Sequence, residues 1–301
     1  MNKKGLIFAL FTALVSGFSI FVNKFGLAGF DPYVFAGVKN IIVVIFLISA
    51  ILLLKDYKEL KNLTSTQWVK LFLIGLIGGS IPFLLFFKGL SMTSAAMGAF
   101  IHKTMFVFVA IGAVIFLREK IDRKYAIGAV LLLAGNFLLL KLKVFTFDTG
   151  ALLIFLATLL WAVEQLISKH TLKEVSSRTV AFGRMFFGSL IIILFWGFTG
   201  RIETALSLTL PQLTWILLTA GFLFLYVISW YYALQRLKAS IATSILLLGS
   251  PITTALSFVF LGTAITISQA FGMLLIVGGV IGIVLFDTKR FKYLFSDRSY
   301  S

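Results

Sequence analysis

Stretches of about 20 predominantly apolar residues recur along the whole chain, separated by short clusters of lysine and arginine. With a rise of about 1.5 Å per residue, a helix of that length crosses the hydrocarbon core of a bilayer. Backbone polar groups have no water to bond in that core, so each such stretch closes its own hydrogen bonds as a helix. Composition agrees: 60% of the 301 residues are hydrophobic, 13% are charged and the mean hydropathy is +1.05. Ordinary soluble domains carry about 25% charged residues. The chain is therefore expected to be an all-α polytopic membrane protein.

The apolar runs place spans near 5–23, 33–54, 69–90, 94–116, 125–142, 150–168, 179–199, 213–234, 240–260 and 269–286. The start, Met1 to Lys4 followed by an apolar run from Leu6, has the look of a signal peptide. With nine similar runs behind it and no clear small-x-small cleavage site, it reads as an uncleaved first span. No polar linker separates a soluble domain, so the chain divides into a first five-helix unit at 1–145, a second at 146–288 and a basic tail at 289–301. The net charge of +16 would suit nucleic acid. Its placement gives a different reason for it. Nineteen Lys and Arg fall on the side shared by both termini and five on the other, which makes the terminal side cytoplasmic and the charge a topology signal, with no nucleic acid implied. The absence of Cys excludes disulfides and thiol chemistry.

The two halves echo each other. Ser19 to Leu27 aligns with Glu164 to Leu172, and Lys39 aligns with Arg184 at the same offset. Gly128 and Gly135 align with Gly272 and Gly279 at an offset one shorter. Five spans per copy reverse the second copy across the membrane, giving ten transmembrane helices as two inverted five-helix repeats.

This pattern resembles the drug/metabolite transporter superfamily, and within it the EamA-type ten-span carriers, over essentially the whole chain. The residues that carry the resemblance are Asp31-Pro32 with Lys39, Tyr231-Tyr232-Ala233-Leu234 running into Lys238-Ala239-Ser240, Ser250-Pro251, and Phe116-Leu117-Arg118-Glu119-Lys120 followed by Gly128. Thr263 stands where the second repeat would usually repeat that Glu, and Lys39 where an Arg is common. The resemblance implies a secondary carrier of small metabolites, often an exporter, in which helix bundles rock around a central cavity of a cell (inner, cytoplasmic) membrane.

Ionisable groups inside spans are costly, by about 2.5–3.5 kcal/mol each at mid-helix, so they mark function or specific pairing. Five qualify: Lys39, His102, Lys103, Glu164 and Arg184. Glu164 and Arg184 sit at similar depth on neighbouring spans and suit an ion pair. A Glu164 left free would instead be the candidate proton-coupling carboxylate. Lys39 lies nearer the outer face, where it anchors by snorkelling or meets substrate. His102 and Lys103 are too deep to snorkel and share helix stripes with Ser94, Gly98, Ala95 and Ala99, which favour close packing into the bundle. His102 is either a structural hydrogen-bonding group or a partner to Lys103. Three cations against one acid leave a positive interior that concentrates anions. The expected substrate is thus anionic or zwitterionic, meeting Lys103; the alternative is a Lys103 that exchanges a proton during the cycle.

Tyr226 and Trp230, one turn apart with Ser229 between them, are further lining candidates. The clusters Gly78-Gly79-Ser80-Ile81-Pro82 and Gly249-Ser250-Pro251 read as packing kinks, and the paired glycines as packing faces. No H-E-x-x-H, G-x-S-x-G or P-loop occurs and no acid pair lies within the spans, so there are no catalytic residues, metal ligands or cofactor motifs to assign. The expectation is a small-metabolite carrier of amino acids or organic anions, with organic-phosphate or other anion antiport as the alternative and a channel or intramembrane enzyme behind both.

Overall fold

The computed structural model describes residues 2–26, 30–93, 95–140 and 147–296, and contains helices and no strand among them. Nine helices among these residues are long and apolar enough to cross a membrane. They are α1 (Lys3–Gly26), α2 (Pro32–Leu53), α3 (Ser65–Leu90), α4 (Met97–Leu117, its first turn beginning at Ala95), α6 (Thr149–Thr171), α7 (Ser177–Thr199), α8 (Leu210–Arg236), α9 (Ala239–Leu261) and α10 (Ile267–Ser296). The shorter α5 (Arg123–Leu139) has 17 residues and packs along α10. Short helices at Tyr57–Lys61 and Ile202–Leu206 join α2 to α3 and α7 to α8.

The acids at span edges explain where helices begin. Asp31 accepts the backbone N–H groups of Tyr33 (2.8 Å) and Val34 (3.1 Å), with Pro32 opening α2. Asp122 accepts from Tyr125 N–H (2.9 Å) and Asp148 from Ala151 N–H (2.7 Å). Each carboxylate satisfies donors that the first helical turn leaves orphaned and faces the positive end of the dipole. α10 continues past the expected limit of 286 to Ser296. No Gly or Pro interrupts Phe286 to Ser296, so an established helix propagates at little cost.

Three helices are interrupted. In α3, Gly75–Ser80 forms a π-helical turn ahead of Pro82. In α9, Leu246–Leu248 is a 3-10 turn before Gly249 and Pro251. Both coincide with breaker clusters visible in the sequence. A third break, at Thr104 in α4, carries no Gly or Pro; there the Thr104 hydroxyl bonds Ile101 O (2.6 Å) and its N–H is shared between the Phe100 and Ile101 carbonyls.

Local features recur at the offsets found in the sequence. Met105–Leu117 and Gly249–Leu261 are equal in length and stand at the offset of the paired glycines. Each is followed by a left-handed residue, Arg118 (φ 55°) and Gly262 (φ 62°). Tyr57–Lys61 and Ile202–Leu206 stand at the offset that relates Lys39 to Arg184, as do left-handed Lys55 (φ 60°) and Gly200 (φ 67°). At that same offset Thr64 N–H donates to Gln67 Oε1 at 3.0 Å, and Thr209 N–H to Gln212 Oε1 at 2.9 Å.

Candidate functional site

The site is organised by the π turn of α3. A helical carbonyl at position 78 would bond the N–H at 82, and Pro82 has none. The freed Gly78 carbonyl accepts instead from Trp161 Nε1 on α6 (3.0 Å) and Arg184 Nη2 on α7 (3.2 Å). The next carbonyl, Gly79, accepts from Asn40 Nδ2 on α2 (3.3 Å). The turn therefore does more than kink α3: it presents two backbone acceptors to three other helices.

The lack of a side chain at 78 and 79 lets those helices close in. A Cβ on Gly78 would lie 2.4 Å from Glu164 Cγ and 3.3 Å from Arg184 Nε, and one on Gly79 would lie 2.3 Å from Arg184 O. Glu164 and Arg184 thus meet across Gly78, but they do not form the direct ion pair that their depths suggest. Glu164 is fully buried, and its oxygens are taken by neutral donors. Oε1 accepts from Tyr231 Oη (2.7 Å) and from Ser168 Oγ, while Oε2 accepts from Gln165 Nε2 (2.7 Å). Gln165 is held in turn by Trp230 Nε1, which donates to its Oε1 at 2.8 Å. Three hydrogen bonds to the ionised group offset the cost of burying the carboxylate.

Arg184 keeps donors in reserve. It is 7% exposed, Nε is buried without a partner, and Gly78 O takes only Nη2. The carboxylate of Glu164 and the phenols of Tyr231 and Tyr226 are its neighbours. Tyr226 stacks on Trp230, with ring centroids 6.4 Å apart. Tyr226 therefore faces the Arg184 station, whereas Trp230 is wholly buried with its N–H engaged by Gln165.

A second station lies toward the opposite end of the bundle. The His102 ring packs edge-on against Trp161 (4.9 Å between centroids) and Phe86 (5.4 Å), and its Nδ1 is buried without a partner. Lys103 follows at the break in α4, partly exposed, with neither ion pair nor hydrogen bond among the described residues. Trp161 links the stations, its ring on His102 and its N–H on the carbonyl that also holds Arg184. Lys39 is 8% exposed with Nζ 4.9 Å from the Phe35 ring, one residue from the Asn40 that bonds Gly79. Among the described residues no group of His, Cys, Asp and Glu is placed to hold a metal.

Charge alone marks Lys39, His102, Lys103, Glu164 and Arg184 in the sequence. Nothing there points to Trp161, Gln165, Ser168 or Tyr231, whose residue types are common in membrane helices. Pro82 is the available signal for the Gly78 carbonyl.

A bundle of membrane-length apolar helices converging on buried polar groups defines a polytopic membrane protein, and the comparisons with known proteins make it a transporter. The chain belongs to the EamA-like transporter family, whose model matches residues 3–141 and again 148–285. An uncharacterized transporter, YyaM, of Bacillus subtilis (strain 168) is 26% identical over 299 residues, covering 92% of this chain and 96% of its own. An uncharacterized transporter of Archaeoglobus fulgidus is 27% identical over 293 residues, covering 93% and 97%. A solved crystal structure superimposes with a TM-score of 0.79 at 18% identity, covering 96% of this chain and 99% of that one, a likeness of fold.

Proposed function

We propose that the protein is a secondary carrier that moves a small anionic or zwitterionic metabolite by alternating access between two inverted five-helix repeats. The observation that carries this reading is the imbalance of buried charge. Lys39, Lys103 and Arg184 retain unengaged donor capacity, while Glu164, the one acid inside the described membrane-length spans, is already bonded three times. Such an interior attracts an anion and has no spare carboxylate for a cation. In this scheme Lys103 with His102 meets the anionic group from the outer half and Arg184 with Tyr226 receives it in the inner half. Lys39 adds to the outer field, and Trp230 acts through Gln165 on Glu164. Glu164 is the candidate proton-coupling group.

The features that recur at the two sequence offsets support the inverted repeat, with α5 as its tenth crossing. The lysine-rich loops support cytoplasmic termini in the cytoplasmic membrane, and export is the direction the family suggests. The same positive interior would suit an organic phosphate exchanged for another anion, and a counterflow assay with inorganic phosphate separates that second reading. A metabolite panel comparing media with and without overexpression identifies the responding solute. For that solute, Lys103→Ala should abolish saturable flux in proteoliposomes while the protein stays folded and inserted. Full flux in Lys103→Ala would sink the assignment.

A further inference from the structure

We infer that Glu119, Asp56 and Glu59 form a gate that holds the lysine-rich end of the bundle shut, so that the resting carrier presents its site toward the opposite end. The inference rests on the alternating-access reading above.

Three first-half acids reach second-half helix starts at that end, and Lys70 reaches the turn between α6 and α7. Glu119, in the loop after α4, accepts from Ala239 N–H (2.6 Å), Ser240 N–H (3.2 Å) and Ser240 Oγ (2.6 Å) at the start of α9. Glu59 accepts from Ser176 N–H (2.8 Å), Ser176 Oγ (2.6 Å) and Thr179 Oγ1 at the start of α7. Asp56 forms a two-pronged pair with Arg178 through Nε and Nη2. Lys70 Nζ bonds both oxygens of Glu174 at 2.8 Å, which holds that carboxyl below its ordinary range. Lys169 completes the closure from α6, donating to Leu234 O (2.6 Å) and to Leu237 O at the end of α8. The turn between α8 and α9 is therefore gripped by a cation on its carbonyls and an anion on its amides, each matching the local helix dipole.

Backbone conformation singles out the same acids. Among the described residues only Lys55 and Arg118 are non-glycine residues with positive φ, and each stands directly before a gate acid, Asp56 and Glu119. That conformation is sterically costly for a residue with a Cβ. At the equivalent second-repeat positions, Gly200 and Gly262 adopt it freely. The residues after those glycines are Arg201 and Thr263, at the opposite end of the bundle. Arg201 reaches Asp31 through Nε at 3.2 Å, a single-pronged pair with its guanidinium over the Tyr33 ring (4.9 Å), and Thr263 has no carboxylate to offer. Among the described residues, two repeats of one backbone design thus carry unequal fastenings. Interactions made in one state and missing from its mirror image shift the population toward that state.

The chain has no native cysteine, so one reporter thiol can be read alone. Thr243→Cys suits the purpose: Thr243 is buried one turn behind the gate, and its hydroxyl bonds only carbonyls of its own helix, Ala239 O and Ser240 O. In membrane vesicles, a membrane-impermeant maleimide applied to the lysine-rich face should label this reporter slowly. Glu119→Thr, which installs the second-repeat residue, and the pair Asp56→Asn with Glu59→Gln should each raise labelling about tenfold or more as the closed population falls. A reporter that stays shielded in both variants overturns the gate. One labelled equally from both faces before any gate substitution overturns alternating access itself. A second measurement avoids reliance on weakened folds. Cysteines placed together at Lys70 and Glu174, which meet at the same end and leave all three gate acids in place, should be joined rapidly and nearly completely by a short bifunctional maleimide, and sparse joining would overturn the closed resting state.

Discussion

Glu164 combines complete burial with a full set of hydrogen bonds, and the roles open to it make different demands on its charge. A Gln at this position keeps the shape and an acceptor for Tyr231 and Ser168, but its amide nitrogen then faces the amide nitrogen of Gln165. It also removes the negative charge nearest Arg184 across Gly78. Glu164→Gln should therefore cost about 1–3 kcal/mol of stability through the displaced donor and the uncompensated cation. If the carboxyl couples a proton to transport, the variant should also retain counterflow of the responding solute yet lose accumulation driven by a pH gradient. Loss of both fluxes in a folded Glu164→Gln protein would make the residue structural. This residue is legible in the sequence because an acid within an apolar run is costly enough to stand out. Its partners are not, since Gln165, Ser168 and Tyr231 become a carboxylate cradle only when α6 and α8 are side by side.

α3 shows how an element can be a site. Its π turn gives up regular bonding so that backbone carbonyls face α2, α6 and α7, and glycines at 78 and 79 let those helices approach. The substitution Gly78→Ala tests that approach, because its Cβ would be driven to within 2.4 Å of the buried Glu164 Cγ. It should lower stability by about 1–3 kcal/mol, as overpacking does. Gly221→Ala in α8, where a Cβ meets nothing within 4 Å, should instead be neutral or stabilising by up to about 1 kcal/mol from helix propensity. Thermal unfolding in detergent compares the two, and equal melting shifts would remove the steric argument. The breaks in α3 and α9 can be anticipated because Pro and Gly announce them. The break at Thr104 cannot, since a hydroxyl bonded back to Ile101 O leaves no mark in the residue type.

At the scale of the whole molecule, the crossing of α5 and α10 tests the proposed inverted repeat. Gly128 and Gly135 are the sequence counterparts of Gly272 and Gly279, yet in space Gly128 meets Gly279 and Gly135 meets Gly272. Exchange of partners between equivalent positions is what a two-fold axis through the crossing produces. The closer contact is Gly135 with Gly272, where a Cβ on either would lie 2.7 or 2.8 Å from the other's backbone oxygen. At Gly128 the nearest atom is a movable side chain, Ile283 Cγ1 at 2.6 Å. Gly135→Ala and Gly272→Ala should therefore each destabilise by about 1–3 kcal/mol, because a backbone oxygen yields only if the helices separate. Once separated by the first Cβ, they accommodate the second at reduced cost, so the double variant should fall short of the sum by about 0.5 kcal/mol or more. Gly128→Ala with Gly272→Ala, about two turns apart along the crossing, should add to within about 0.5 kcal/mol. Melting in detergent of the single and double variants measures both cycles. Additivity at 135 and 272 together with coupling between 128 and 272 would mean that the helices cross in a different register, and the two-fold relation of the repeats would fall with it.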